Sequence, residues 1–151
     1  MKRFIIAITG ASGACYAKRL FDVLKETSEL HLIISERGVE LLKIELGLKA
    51  SYFAGESVTL YKNSKINTCI ASGSFRTDGM VVVPASMGTV GRIASGVSTT
   101  MVERAADVIL KEKRKLIIVP REAPFSTIHL KNLLALDQAG AHILPASPGF
   151  Y

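Results

Sequence analysis

Cysteine is scarce in this chain, with only Cys15 and Cys69 among 151 residues. They form no metal-ligand spacing with each other or with His31, His129 and His142. No zinc or other metal site is therefore expected, and both thiols read as free in a reducing compartment. No apolar run approaches the roughly 18 residues that a membrane-spanning helix needs. Met1 to Ile8 carries the charges of a signal peptide, but its apolar part is short and Gly10 interrupts it. Acidic residues are outnumbered, 13 against 19 lysines and arginines, for a net charge of +6. The basic residues are scattered, which argues against a nucleic-acid surface. Their one dense cluster, Lys111 to Lys115, falls at a predicted helix C-terminus, where the macrodipole favours positive charge. Internal repeats, low-complexity tracts and linkers are also missing. What these absences leave is a cytoplasmic globular protein whose charge suits small anionic ligands.

What is present is an alternating pattern. With 48% apolar residues, the chain reads as one domain over 1–151, large enough for a real core. Arg3 to Thr9, Leu30 to Ile34, Met80 to Val83 and Leu116 to Val119 are short apolar runs of the kind that form buried parallel strands. A short strand over Ser57 to Tyr61 and a last one over Ala141 to Leu144 complete the set. Between them lie helical patterns over Cys15 to Lys25, Glu36 to Leu46, Ser86 to Ala94, Thr99 to Lys113 and Ser126 to Gln138. This order predicts a doubly wound α/β sandwich with a mostly parallel sheet.

Candidate chemistry gathers where the predicted strands end. Gly10-Ala11-Ser12-Gly13 joins the first strand to the first helix and offers backbone N–H groups to an anion. It is not the full GxGxxG dinucleotide fingerprint. Ser86-Met87-Gly88-Thr89 offers hydroxyls and N–H groups in the same way after another strand. Arg104 and Lys111 are two helical turns apart and share a face, with Asp107 between them, as a cationic clamp for a leaving phosphate would need. Arg121 and Glu122 stand between Pro120 and Pro124. A carboxylate partly withdrawn from water there would have a raised pKa and could exchange protons. Ala71 to Phe75 reads as a loop that approaches a ligand. Tyr61 and Lys65 match a YxxxK spacing, but in a polar stretch rather than a helix. His129 and His142 read as structural.

Five segments in order resemble the UbiX-type flavin prenyltransferases: TGASGA at Thr9, ASGSF at Ala71, ERAADVILKEKR at Glu103, PREAPF at Pro120 and GAHILPASPGFY at Gly140. The resemblance implies a flavodoxin-like fold and an enzyme that joins a dimethylallyl group to N5 and C6 of reduced FMN, without a metal. The product, prenylated FMN, would serve UbiD-type decarboxylases. By motif, Gly10, Ala11, Ser12, Ser35, Ser86, Met87, Gly88, Thr89 and Arg121 would hold FMN. Arg104, Lys111 and Tyr151 would hold dimethylallyl phosphate, with Glu45 nearby, while Ser12 and Glu122 assist proton movements. A large homo-oligomer, up to a dodecamer, with sites between subunits is also implied. Ala85 stands where many members have cysteine, and Gly88 where many have lysine. Members of the family continue into a further helix with another phosphate-binding arginine, which is absent from these 151 residues. The rival readings are an FMN carrier without catalysis and a flavin-dependent cysteine decarboxylase of the same fold.

Overall fold

The computed structural model describes residues 1–151. Six strands and five α-helices follow one another in this order: β1 Lys2–Ile8, α1 Ala14–Leu24, β2 Ser28–Ile34, α2 Glu36–Leu46, β3 Val58–Lys62, β4 Gly79–Ala85, α3 Met87–Ala94, α4 Met101–Lys111, β5 Leu116–Pro120, α5 Thr127–Gln138 and β6 His142–Ile143. All strand pairs are parallel, in the order β3-β2-β1-β4-β5-β6. The chain winds outward from β1 through β2 to β3, returns to β4, and winds outward the other way. The doubly wound sandwich read from the sequence is therefore what forms. Its topological switch point lies between β1 and β4, where open α/β sheets bind ligands at the carboxyl ends of the strands.

Period-two alternation in the central strand builds both cores at once. Ile5 and Ala7 of β1 face a cluster with Met80, Val82, Ile118 and the inner sides of α3, α4 and α5. Ile6 and Ile8 face the opposite cluster, which holds Phe21, Leu30, Leu32, Leu42 and Phe53 under α1 and α2. Each such side chain taken fully out of water contributes roughly 1.5–3 kcal/mol, so the sheet is a rigid platform for its loops.

The helices begin at defined caps. Ser35 accepts from the Gly38 N–H at 3.1 Å, Ser86 accepts from Thr89 at 3.2 Å, and Thr100 and Glu103 form a reciprocal capping box. Ser126 and His129 form a second such box at α5, which is the structural role expected of that histidine. Tyr61 lies in β3, where its hydroxyl meets His31 and Cys69, so the YxxxK spacing is a coincidence. The last strand is shorter than its sequence run, two residues rather than four. No helix is long and apolar enough to cross a membrane.

Candidate flavin crevice and cationic cleft

At the switch point, buried Thr9 ties the end of β1 to the end of β4. Its hydroxyl donates to the Pro84 carbonyl at 2.7 Å and accepts from the Ser86 N–H at 2.8 Å. Proline has no N–H to give the ladder, and the β4–β5 register shifts between Val82 and Ala85 around it. The chain turning into α3 is thereby fixed beside Gly10. Gly10 must be small, because a Cβ there would stand 2.5 Å from the Cβ of Arg37.

A crevice of about 290 Å³ opens at this point, lined by Thr9, Gly10, Ser35, Glu36, Arg37, Asn63, Ser86, Thr89, Arg92, Thr100 and Val102. Only Val102 is apolar. The crevice thus gathers Gly10, Ser35, Ser86 and Thr89 of the residues expected from the sequence. Met87 is different: its side chain is buried in the core, leaving only its backbone toward a ligand. Ala11 is likewise buried.

Ser12, Glu45 and Arg121 form a neighbouring group on the rim. The Glu45 carboxylate accepts from the N–H groups of Gly13 at 3.0 Å and Ala14 at 2.8 Å. Of the N–H groups of Gly10 to Gly13 read as an anion site, that of Gly13 is therefore taken by the protein's own carboxylate. Burial raises the Glu45 pKa, but the two N–H groups, the Ser12 hydroxyl and the Arg121 charge outweigh it and hold the carboxyl below its ordinary range. Arg121 itself is exposed, and its N–H reaches the Ala85 carbonyl at 3.4 Å. Glu122 is exposed too, with only the Ala123 N–H as a partner, so the withdrawal from water expected of it is not found in the single chain.

Arg104 and Lys111, read as a phosphate clamp, do not line this crevice. Arg104 and Lys111 do share the outward side of α4, but Arg104 pairs with Asp107 at 2.9 Å and Lys111 with Glu112 at 2.6 Å. Lys111 ends α4, so it lies at the edge where β5 starts, whereas Arg121 lies just past the end of β5. Five residues of strand, roughly 16 Å, separate those two edges. At the Lys111 edge a second cleft is lined by Gly73, Ser74, Arg76, Thr77, Glu112 and Arg114. Arg114 holds its loop by donating to the carbonyls of Gly73 at 2.6 Å and Phe75 at 2.8 Å. The Gly73 backbone lies against the charged ends of Glu112 and Lys111: a Cβ there would stand 2.2 Å from the Glu112 carboxylate and 3.1 Å from the Lys111 ammonium. The Ala71 to Phe75 loop therefore joins Lys111 and not the crevice. Tyr151 is fully exposed and joins neither group.

Several residues in or behind the crevice were not singled out in the sequence. Glu103 was findable, since Thr100-Met101-Val102-Glu103 is a capping-box signature. The Glu103 carboxylate is fully buried and accepts from the N–H groups of Thr99 and Thr100, from the Thr99 hydroxyl and from Arg92. Asn63 accepts from the Val102 N–H at 3.1 Å and helps to seat the start of α4. No local spacing announces Arg92 or Asn63, because their partners come from other elements.

Comparison with known proteins agrees with this architecture. The Flavoprotein family matches residues 1–150. The flavin prenyltransferase UbiX of Methanocaldococcus jannaschii is 46% identical over 149 residues, covering 99% of this chain and 81% of that protein. A UbiX protein solved in complex with FMN and dimethylallyl pyrophosphate superposes with a TM-score of 0.94 at 38% identity, over 99% of this chain and 80% of its own. A dodecameric FMN-dependent UbiX-like decarboxylase from Escherichia coli O157:H7 gives 0.93 at 42% identity, over 99% and 82%. On a likeness that runs almost end to end in both sequence and fold, the chain belongs to the Flavoprotein family, among its UbiX-type flavin prenyltransferases.

Proposed function

We infer that this chain is a flavin prenyltransferase that joins a dimethylallyl group to reduced FMN. The observation that carries the reading is the near-full-length match to a relative solved with FMN and dimethylallyl pyrophosphate. The crevice fits the polar part of such a flavin: hydroxyls of Ser35, Ser86 and Thr89 and the first turn of α3 face one space with almost no apolar wall. Bound flavin supplies the nucleophilic N5 and C6 positions to which the prenyl group is joined. The chain's own residues bind, orient and manage charge. Ser12 and Arg121, beside Glu45, would meet the ring end. Lys111, beside Gly73 at the edge of the second cleft, would hold a phosphate as it leaves. Arg104, Glu122 and Tyr151 keep the roles that the family motifs imply, as parts of this proposal.

The two clefts lie at opposite edges of one sheet, so a single chain does not close both around one reaction. We take the working site to form between copies, in a homo-oligomer whose exposed helix faces meet. A dodecameric relative supports this, as do Ile128, Leu130 and Leu134, which stand exposed along α5. Residues 1–151 act in this reading as one flavin-binding unit. The product would pass to a UbiD-type decarboxylase. Two free, exposed thiols suit the cytoplasm as the place of action.

The direct test is anaerobic incubation with reduced FMN and dimethylallyl phosphate, or the pyrophosphate, followed by mass analysis of the bound flavin. A flavin heavier by one five-carbon unit establishes the transferase. FMN bound but unmodified with either donor would favour a carrier, and no flavin binding would overturn the reading.

A further inference from the structure

We propose that Arg92 holds the terminal phosphate of the flavin and thereby makes this chain select the mononucleotide over the unphosphorylated flavin. The inference rests on the flavin reading above and assigns a role to a residue outside the motifs that carry it.

Three helix starts border the crevice, and their charges differ. The first turn of α2 contains Glu36, and that of α4 contains Glu103. The start of α1, on the nearby rim, already carries the Glu45 carboxylate. Only α3 begins at the crevice with no acid in its first turn, so a phosphate dianion meets the least repulsion there. The N–H groups of Met87 and Gly88 lie in that first turn, where no intrahelical acceptor exists for them.

Two cationic side chains line the crevice. Arg37 is bound to Glu40 at 2.7 Å and is mostly in solvent. Arg92 is different, because it is anchored from behind. Its Nε donates to the fully buried Glu103 carboxylate, and one Nη lies 3.4 Å from the Thr89 hydroxyl. The remaining Nη1 has no hydrogen-bond acceptor within the chain. A Cβ on Gly88 would stand 3.3 Å from that Nη1, so the guanidinium folds back over the opening turn of α3. The side chain is 49% exposed even with its inner edge fixed. A guanidinium with one edge locked and the other presented to a helix N-terminus matches the planar, multi-donor geometry that phosphate recognition favours.

The test is equilibrium binding of FMN and riboflavin to the full chain by quenching of flavin fluorescence, for wild type, R92K, R92Q and R92Q/E103Q. The double variant removes the buried carboxylate that R92Q leaves unpaired, and R92K keeps the ion pair if either glutamine variant fails to fold. Wild type should prefer FMN over riboflavin by at least about 10-fold, the scale of one charge-assisted hydrogen bond. R92Q and the double variant should lose most of that preference while riboflavin affinity stays within about twofold, with R92K in between. Inorganic phosphate should compete with FMN for wild type and not for R92Q. If the FMN-to-riboflavin ratio is unchanged in every folded variant, Arg92 only supports the loop and the proposal fails. If both affinities fall together, it fails in the same way. A wild type that binds neither flavin would overturn the flavin reading itself.

Discussion

Oε2 of Glu45 accepts a hydrogen bond from the Ala14 N–H at 2.8 Å, so the N-terminus of α1 is neutralised from within. A carboxylate in this position stabilises a helix by about 0.3–1 kcal/mol. Its pKa is lower in the folded chain than the ordinary 4.5, so the folded state binds the proton less readily than the unfolded one. The stabilisation is therefore complete above the ordinary carboxylate range and is lost as pH falls through and below it. E45Q should lower the melting temperature at about pH 7, and the gap from wild type should close towards about pH 3. A gap that stays constant over that range would show that the charge at the helix start contributes nothing.

Thr9 makes two buried hydrogen bonds with one hydroxyl, and valine has nearly the same shape. T9V should cost about 2 kcal/mol, because it leaves the Ser86 N–H without its partner and the Pro84 carbonyl with fewer donors. The denaturation midpoint should fall with the slope unchanged, while T9S recovers most of the loss. FMN affinity should drop in T9V as well, since the turn from Ser86 to Thr89 hangs on this hydroxyl. A T9V chain as stable as wild type would contradict the assignment.

Glu103 bears no solvent-exposed surface and holds the turn at Thr99 and Thr100 with three hydrogen bonds. E103A should destabilise the chain on the order of 3 kcal/mol, read as a lower denaturant midpoint. The loss should be smaller for E103Q, which retains a carbonyl acceptor. Equal stability of E103A and wild type would mean that the turn holds without it.

Two crippled chains should repair one another if working sites form between copies. S12A removes a hydroxyl beside the flavin crevice, and K111A removes the ammonium at the opposite edge. Each alone should be nearly inactive. Assembled together in equal amounts from the unfolded state, they should regain about a quarter of wild-type activity, since random neighbours pair two intact halves that often. Mixtures no more active than the parent variants would place both halves of the site within one chain.

Much of this architecture was legible in the residues. Buried parallel strands announce themselves as continuous Ile, Val and Leu runs, and the boundaries read for α2 coincide with those observed because Ser35 caps it and Gly47 ends it in a left-handed turn. The loops after β1, β2 and β4 were legible for the same reason, since each follows a strand end. Charge pairing was less legible. The segment TGASGA reads as an anion site, and nothing in its spacing shows that Glu45, thirty-one residues past Ala14, takes the N–H groups of Gly13 and Ala14. Arg104 and Lys111 share a helix face, as their spacing requires. Spacing alone, however, does not say that the end of α4 lies at the sheet edge away from the crevice. Burial of Glu122 could not be read either, because it depends on what packs over an exposed loop.

If working sites form between copies, the placement of the two clefts on opposite edges makes each chain a directional link, with a socket at one end and its complement at the other. An open string of such links always leaves an idle crevice at one terminus and an idle cationic cleft at the other. Only an assembly that closes on itself has no idle ends. Closure is then a condition on how many sites work per chain, and not merely on how firmly the chains hold together. Cutting a closed shell into open fragments should lower the activity per chain even where every fragment remains folded.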